Sequence, residues 1–267
     1  MDQGRHNLLG VLVDAVDYEG AVDRIAAAAR DKQPLAVSAL AVHGVMTGVL
    51  DRVHRHRLNA LDMVVPDGQP VRWAVNRLYG LQLKDRVYGP TLMLKTCQRA
   101  AAERLPIFLF GGTAALLERL QANLVAQFPG LEIAGVQPSK FRRLTPPERD
   151  ETVAQIRGSG AAITFVGLGC PRQEVWAYEF RGALRMPILA VGAAFNFHAG
   201  LLEQAPPTWQ KWGLEWAFRL LKEPRRLWRR YLLLNPLYVG LVCLQMCHLR
   251  YYDPDSTAVP TEELLYG

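Results

Sequence analysis

Residues 162–174 read AITFVGLGCPRQE, and this stretch decides the fold class. The first five residues are apolar or β-branched, which is typical of a short buried strand. Gly167 and Gly169 then indicate a tight turn, and Pro171 suits the first turn of a following helix. A buried strand followed directly by a glycine turn and a helix is the repeating unit of α/β proteins.

Strand-like segments of the same kind alternate with helical patterns along most of the chain. Asp17 precedes one helical pattern as a capping residue, and Thr145 with Glu148 has the spacing of a capping box. This alternation predicts an α/β fold with a Rossmann-like, mostly parallel sheet and helices on both faces. We predict strands at residues 8–13, 35–40, 61–65, 107–110, 131–136, 162–166 and 188–191.

Length and composition allow one large domain or one domain with an appendage. The chain has 267 residues, of which 50% are apolar, so a sizeable core can form. The pair Pro206-Pro207 is the clearest boundary, because helical patterns rich in Trp and Arg follow it. We predict an α/β domain at residues 1–206, a basic helical appendage at 207–252 and a flexible tail at 253–267.

The positive charge of the chain is concentrated in this appendage. The formal net charge is +6, and residues 211–230 contain seven basic and two acidic side chains. Such a patch indicates an anionic partner: a phosphate group, nucleic acid or a lipid surface. The apolar run at 231–248 is interrupted by Asn235 and Pro236, so we expect it to lie on a membrane or in the core.

Cysteine and histidine usage points away from disulfides and metals. The four cysteines form no disulfide framework, and no basic head followed by an apolar stretch opens the chain, so we expect a cytoplasmic protein. His54 and His56 lie in the segment RVHRHR, which we interpret as an exposed basic helix. With no third ligand nearby in sequence, we predict no metal site.

Three glycine-marked strand ends predict a phosphate site. In parallel sheets, ligands bind at the carboxyl ends of the strands, where backbone amides and helix N-termini point outward. The dinucleotide fingerprint is not met, because Arg172 stands where its third glycine belongs. A nucleotide or sugar-phosphate site is therefore favoured over a nicotinamide site. The three loops contain Gly111, Gly112 and Thr113; Gly167 and Gly169; and Gly192 with Gly200.

Two short motifs place polar side chains at these strand ends. PDGQP, residues 66–70, is a turn that sets the Asp67 carboxylate at the mouth of the sheet. GCPRQE, residues 169–174, sets Gln173 and Glu174 in the first turn of a helix, whose dipole faces a bound phosphate. A plain turn and ordinary helix capping are the structural alternatives for these two motifs.

Six segments in a fixed order resemble one enzyme family, the bacterial WecG/TagA/CpsF glycosyltransferases (family 26). They are VVPDGQPV, DRVYGPTLM, IFLFGGTAALLERL, TFVGLGCPRQEVWA, VGAAFNFHAG and GLEWAFRLLKEPRRLWRRY, and the resemblance covers residues 8–231. It implies transfer of a sugar from a UDP-sugar to a polyprenyl-diphosphate-linked sugar at the cytoplasmic membrane face. It also implies inversion at the anomeric carbon, no essential metal and no cofactor besides the donor substrate.

The resemblance also assigns residues. Asp67 falls on the family's general base, and an aspartate with an ordinary pKa of about 3.9 is ionised at neutral pH. Arg86 and Gln173 fall on two further motif positions of the family, and we predict both to be catalytic. The glycine loops, Pro171 and Glu174 are predicted to bind substrate because of their place at the strand ends and at the helix N-terminus. Three appendage arginines hold the diphosphate, and on one continuous helix they would share an arc of about 80°. They are Arg219, Arg226 and Arg229.

The chain departs from the family pattern at two places that face donor or acceptor. Ser38 and Leu40, followed by His43, stand where many members have a Thr-x-Asn motif. Asn196 stands where many have an aspartate between two phenylalanines. We therefore predict that Ser38, His43 and Asn196 bind substrate. The donor is predicted to be of glucosyl or N-acetylmannosaminyl type, used in cell-surface or exopolysaccharide synthesis.

The expected partners are thus a UDP-sugar, a lipid-linked acceptor and the inner face of the bacterial cell membrane, but not nucleic acid. The Trp- and Arg-rich appendage is expected to associate peripherally with that membrane. Its apolar residues also favour a homo-oligomer when no membrane is present. Two alternatives are a nucleotide-dependent Rossmann-type oxidoreductase and a non-catalytic basic module that binds membrane or nucleic acid.

Overall fold

The computed structural model describes residues 2–267, without the side chains of Arg226 and Arg230. An antiparallel hairpin opens the chain, with β1 at Asp2–Leu8 and β2 at Val11–Val16. The single strand predicted at 8–13 is therefore wrong. Leu9 and Gly10 both adopt positive φ angles, 57° and 86°, and the Asn7 side chain accepts from the Gly10 amide at 2.7 Å. The turn was not predicted because residues 8–13, LLGVLV, are apolar on both sides of it.

The main sheet has six strands, all parallel, in the order β4-β3-β8-β7-β5-β6. The predicted strands after the hairpin are confirmed, with ends displaced by two residues at most. They are β3 at Leu35–Leu40, β4 at Met63–Pro66, β5 at Ile107–Phe110, β6 at Ile133–Gln137, β7 at Ile163–Val166 and β8 at Pro187–Ala190.

Helices cover both faces of this sheet, as the alternating pattern predicts. The side chains of β5 alternate: Phe108 and Phe110 join the core on one face, Ile107 and Leu109 the core on the other. The helices of this α/β domain are α1 at Tyr18–Arg30, α2 at Val42–Leu50, α3 at Arg52–Asn59, α4 at Gln69–Tyr79, α5 at Gly89–Glu103, α6 at Ala114–Gln127, α7 at Pro146–Gly158, α8 at Arg172–Leu184 and α9 at Ala194–His198.

Two predicted helix starts are confirmed and one helix surface is corrected. Asp17 accepts from the Gly20 amide at the start of α1, and Thr145 forms both bonds of a capping box at the start of α7. The segment RVHRHR is helix α3, but His54 is only 2% exposed and Arg57 only 4%. It is not the exposed basic face that we expected, because α3 packs between the hairpin and α8.

The appendage consists of three helices: α10 at Pro207–Lys211, α11 at Glu215–Lys222 and α12 at Pro224–Met246. Pro224 begins a new helix, so α11 and α12 are separate. On α12, Tyr238 is buried and its hydroxyl donates to the Pro70 carbonyl at 3.1 Å, which joins the appendage to the start of α4. Within residues 2–267, no helix combines the length and the apolar composition needed to cross a bilayer.

Residues 253–267, expected as a flexible tail, run back over the α/β domain. The Ala258 amide donates to the Arg52 carbonyl at 3.1 Å, and the Leu144 amide donates to the Leu265 carbonyl at 2.7 Å. The segment therefore reaches the loop that follows β6.

Candidate active site

A cleft of about 920 Å³ runs along the carboxyl edge of the sheet. The residues that follow all six parallel strands line it, and α11 and α12 contribute side chains from above. From β3 the chain continues to its neighbour β4 at one edge of the sheet, and the strands that come later in the chain lie on the opposite side of β3. The strands β3 and β8 therefore flank a topological switch point. Open α/β sheets bind ligands in the crevice at such a point.

Asp67 lies directly after β4, and two helix N-termini hold its position. The Gly89 amide, at the start of α5, donates to Asp67 Oδ1 at 2.5 Å. The next residue, Gly68, is the N-cap of α4. The Asp67 amide in turn donates to the Leu40 carbonyl at 3.2 Å, on the neighbouring strand. The predicted turn and the fixed carboxylate are therefore one feature.

The environment of Asp67 makes its carboxyl a weaker acid than we expected from the sequence. Burial raises its pKa to about 6, although Arg86 and the Gly89 amide act in the opposite direction. At pH 7 roughly nine-tenths of the carboxyl is still ionised with such a pKa. A general base works best when its pKa lies near the operating pH, so this site suits proton abstraction better than an ordinary aspartate.

Arg86 joins the α/β domain to the appendage. It is 5% exposed and donates to the Glu215 carboxylate on α11 and, at 3.1 Å, to Gln210 Oε1 on α10. Its guanidinium also lies 4.2 Å from the ring centre of Tyr88. The acidic partner makes the pKa of Arg86 higher than usual, against the effect of burial. This arginine lines the cleft as a fully paired group.

Gln173 and Glu174 occupy the first turn of α8, as predicted. Gln173 Nε2 donates to Glu174 Oε1 at 2.9 Å, and the Gly169 amide donates to Gln173 Oε1 at 3.2 Å. The Ser38 hydroxyl also donates to Glu174 Oε1, at 3.2 Å. Ser38 is completely buried, so it supports Glu174 and does not contact the cleft directly as we expected. Burial raises the pKa of the Glu174 carboxyl.

The glycine loops bring backbone close to the cleft, but their glycines have different roles. Gly112, Thr113, Gly167 and Gly169 line the cleft, and the Thr113 hydroxyl caps α6. Gly111 instead allows two strand ends to approach each other: with a φ of 113°, a Cβ there would lie 2.9 Å from the Gly167 backbone. We therefore reassign Gly111 from substrate binding to packing.

The appendage arginines reach the cleft from two helices. Arg219 on α11 and Arg229 on α12 both line it. The expected arc on one helix is wrong because Pro224 separates the two helices, but the expected convergence on one site holds for these two side chains. Arg226 lies on α12, and its side chain is outside the described part of the structure.

The remaining predicted residues lie at or beside the cleft. His43, in the first turn of α2, and Asn196 on α9 both line it. Pro171 is the N-cap of α8, one position earlier than expected. His198, at the end of α9, holds its loop in place through a 2.9 Å contact between Nε2 and the Pro90 carbonyl.

Sequence reasoning missed several residues of the site. Glu215 is the most informative omission, because its carboxylate accepts from Arg86, one of the predicted catalytic residues. Tyr88, two positions after Arg86, lies in the motif DRVYGPTLM, but nothing in that motif indicates its contact with the Arg86 guanidinium. Gln69, at the start of α4, lies inside the quoted PDGQP motif but was given no role, and Ser139 after β6 carries no recognisable pattern. All four line the cleft or contact Arg86 within it.

A comparison with protein families accounts for this combination of motifs. The model described as the glycosyl transferase WecG/TagA/CpsF family matches residues 6–251. The matched segment includes most of the hairpin, the whole parallel sheet and nearly all of the appendage, and therefore the residues that line the cleft. From this match we conclude that the chain belongs to the WecG/TagA/CpsF family, whose members are glycosyltransferases of cell-surface polymer biosynthesis.

Proposed function

We propose that this glycosyltransferase moves a sugar from a UDP-sugar to a polyprenyl-diphosphate-linked sugar, with inversion at the anomeric carbon. The observation that carries the proposal is the Asp67 carboxylate, which lines the cleft, is fixed by the Gly89 amide and has a pKa of about 6. The two alternative functions, a nucleotide-dependent oxidoreductase and a non-catalytic basic module, receive no support from the family assignment.

In the proposed step, Asp67 accepts the proton of the acceptor hydroxyl as its oxygen attacks the anomeric carbon. The new glycosidic bond forms on one face of the sugar, and the bond to the UDP oxygen breaks on the other, which gives inversion. UDP leaves with the bonding electron pair. Transfer of the proton to a well-placed base contributes roughly 10²- to 10⁴-fold to the rate of such reactions.

The negative charge that develops on the diphosphate needs stabilisation. Arg219 and Arg229 line the cleft and carry forked donors that suit phosphate oxygens. The N-terminus of α8, a helix of 13 residues, adds the positive end of its dipole near Gly169. Backbone amides of the glycine loops complete the proposed diphosphate site, which uses no metal and no cofactor.

Gln173 is proposed to orient the substrate from the floor of the cleft. Its amide is held on both sides, by Glu174 and by the Gly169 amide. A Cβ at Gly192 would lie 3.0 Å from Gln173 Oε1, so the absent side chain of Gly192 leaves room for this arrangement. His43 and Asn196 are proposed to select the sugar, of glucosyl or N-acetylmannosaminyl type.

The appendage is proposed to lie on the inner face of the cell membrane. One side of α12 packs inward through Leu227, Tyr231 and Tyr238, while the other exposes a row of apolar residues. Exposed leucine and tryptophan next to basic residues favour the interface of an anionic bilayer. Without a membrane, the same surface favours self-association. The exposed residues are Trp228, Leu232, Leu233, Leu237, Val239 and Leu244.

The proposal is tested by incubating the purified full chain with a series of UDP-sugars and a short-chain lipid-diphosphate-sugar acceptor. Product mass identifies the donor, and the anomeric configuration of the new linkage identifies the stereochemistry. We expect one preferred donor, release of UDP in equal amount and an inverted linkage. Retention of configuration, or release of UDP without a glycosylated lipid, contradicts the proposal.

A further inference from the structure

The loop that follows β6 forms the end of the cleft farthest from Asp67. Residues 138–144, here called the rim loop, contribute Ser139 and Phe141 to the cleft lining. The Ser139 amide donates to the Gly112 carbonyl at 2.9 Å, and the Phe141 amide donates to Ser139 Oγ at 2.9 Å. Phe141 is 62% exposed, while the neighbouring Lys140 and Arg142 side chains donate to the Glu148 carboxylate at the start of α7.

Residues 262–267, here called the strap, pair with this loop. The Leu144 amide donates to the Leu265 carbonyl at 2.7 Å, and the Gly267 amide donates to the Arg142 carbonyl at 3.0 Å. Ser139 Oγ donates to the Gly267 carbonyl at 2.5 Å, so a residue of the cleft wall is bonded directly to the strap.

The other side of the strap is attached to α8. The amides of Leu264 and Leu265 donate to the two oxygens of the Glu179 carboxylate, at 2.8 and 2.9 Å. The Leu265 side chain packs against the hydrophobic core. The strap therefore connects two elements that border the cleft, the rim loop and α8, and fixes their separation.

The strap also contacts a cation at the cleft. The Arg172 guanidinium lies 5.6 Å from the ring centre of Tyr266, and Arg172 lines the cleft at the start of α8. Within the described part of the chain, no carboxylate is within salt-bridge distance of Arg172. An arginine that is oriented by an aromatic ring but has no acidic partner is available to an anionic ligand.

The sheet order separates this end of the cleft from the reacting end. Asp67 follows β4 at one edge, and the rim loop follows β6 at the other, five strand spacings away. At about 4.8 Å per spacing the two ends lie roughly 24 Å apart. A ligand group bound near the strap is therefore remote from the bond that reacts at Asp67.

We infer that the strap is a positioning element for donor binding: it holds Ser139, Phe141 and Arg172 around the nucleotide part of the sugar donor. This inference rests on the proposed function for the identity of the donor. The strap lies beyond residues 6–251, the segment that the family model matches. The contribution to donor binding is thus assigned to a part of this chain outside the region that defines the family.

The test uses two variants of the full chain and a matched control. Leu265→Asp puts a charged carboxylate where the Leu265 side chain packs against the hydrophobic core, which releases the strap. Tyr266→Ala removes the ring beside Arg172 and leaves the strap backbone unchanged. Val259→Asp is the matched control for Leu265→Asp: it also replaces an apolar residue of the tail by aspartate, but at a position that is 69% exposed. Hydrogen exchange of the rim loop, UDP affinity and steady-state kinetics are measured for each.

For Leu265→Asp we expect faster hydrogen exchange at residues 139–144, and increases of about tenfold in the UDP dissociation constant and donor KM. The kcat and the acceptor KM are expected to stay within about twofold of the unaltered protein. Contacts with the remote nucleotide are the same in the ground state and the transition state, so their loss raises the donor KM alone. For Tyr266→Ala we expect a threefold to tenfold loss of UDP affinity with unchanged loop exchange. Val259→Asp is expected to match the unaltered protein.

Two results for Leu265→Asp overturn the inference. One is faster exchange of the rim loop with unchanged UDP affinity, and the other is a loss of kcat with unchanged donor affinity. If Leu265→Asp does not fold, Tyr266→Ala still decides, since unchanged UDP affinity in that variant contradicts the role of Arg172. Failure of the unaltered protein to bind UDP rejects the proposed function instead. The exchange experiment, which uses no ligand, still measures whether the strap holds the rim loop.

Discussion

The raised pKa of Asp67 implies that this residue reduces the stability of the folded protein at neutral pH. Its pKa of about 6 lies above the value of 3.8 that an unperturbed aspartate has. A difference of about two pKa units corresponds to about 3 kcal/mol of free energy at pH 7. The replacement Asp67→Asn removes the desolvated charge, and the asparagine carbonyl is still able to accept from the Gly89 amide. We therefore expect the variant to be more stable by about 2–3 kcal/mol at pH 7.

The sign and pH window of this effect follow from the two pKa values. Below about pH 4 the carboxyl is protonated in both the folded and the unfolded chain, so it does not penalise folding. Between about pH 4 and pH 6 the carboxyl is ionised in the unfolded chain but still protonated in the folded chain. The free energy of unfolding therefore falls as the pH rises through this range. The stability gain of Asp67→Asn should therefore grow from near zero at pH 4 to its full value above pH 6, and then stay constant.

Urea unfolding of both proteins from pH 4 to pH 8 measures this difference. Asp150→Asn is the matched control, because Asp150 is 71% exposed and pairs with Arg149 at the surface. We expect the control to change the free energy of unfolding by less than about 1 kcal/mol at every pH. A loss of stability in Asp67→Asn at pH 7, or a gain that does not depend on pH, would refute the account of this carboxylate.

Three further predictions concern the same cleft and the appendage. The transferase rate should rise as pH increases through about 6, the pKa of Asp67; a pH–rate profile that is flat from pH 5 to pH 7 contradicts this. Glu215→Ala leaves a buried arginine without its acid, a change that costs about 3–5 kcal/mol in comparable pairs, so we expect at least a tenfold loss of kcat/KM and faster proteolysis after residue 206. Glu203→Ala, which breaks an exposed pair, should change the same two measurements little. Leu233→Glu should reduce co-sedimentation with vesicles of anionic phospholipid, whereas Val259→Glu, also at an exposed apolar position, should not.

Local patterns in the sequence were sufficient to predict the sheet domain. Residues 107–110 and 163–166 are short, apolar and followed by glycine, so their strand assignment needs no tertiary information. The hairpin was missed because residues 8–13 are apolar on both sides of the turn at Leu9 and Gly10. The burial of His54 and Arg57 depends on a neighbouring helix, which periodicity within α3 does not reveal.

Residues of the cleft were predicted where they lie in one short motif and missed where distant segments meet. Asp67 and Gln173 lie in short motifs at strand ends, and the structure places both in the cleft. The pair of Arg86 with Glu215 joins residues 129 positions apart, so no local spacing identifies it. The strap reaches the rim loop in the same way, over a separation of more than 120 residues. Such pairs form only when the folded chain brings distant segments together, so a local sequence pattern does not predict them.

The central claim is that Asp67 is the general base of sugar transfer. The most direct test is the kcat of Asp67→Asn with the preferred UDP-sugar, measured together with its UDP affinity. We predict a loss of at least about a hundredfold in kcat, with an unchanged dissociation constant for UDP and a folded protein. A kcat within a few-fold of the unaltered enzyme would contradict the claim and leave Asp67 as the residue that shapes the turn after β4.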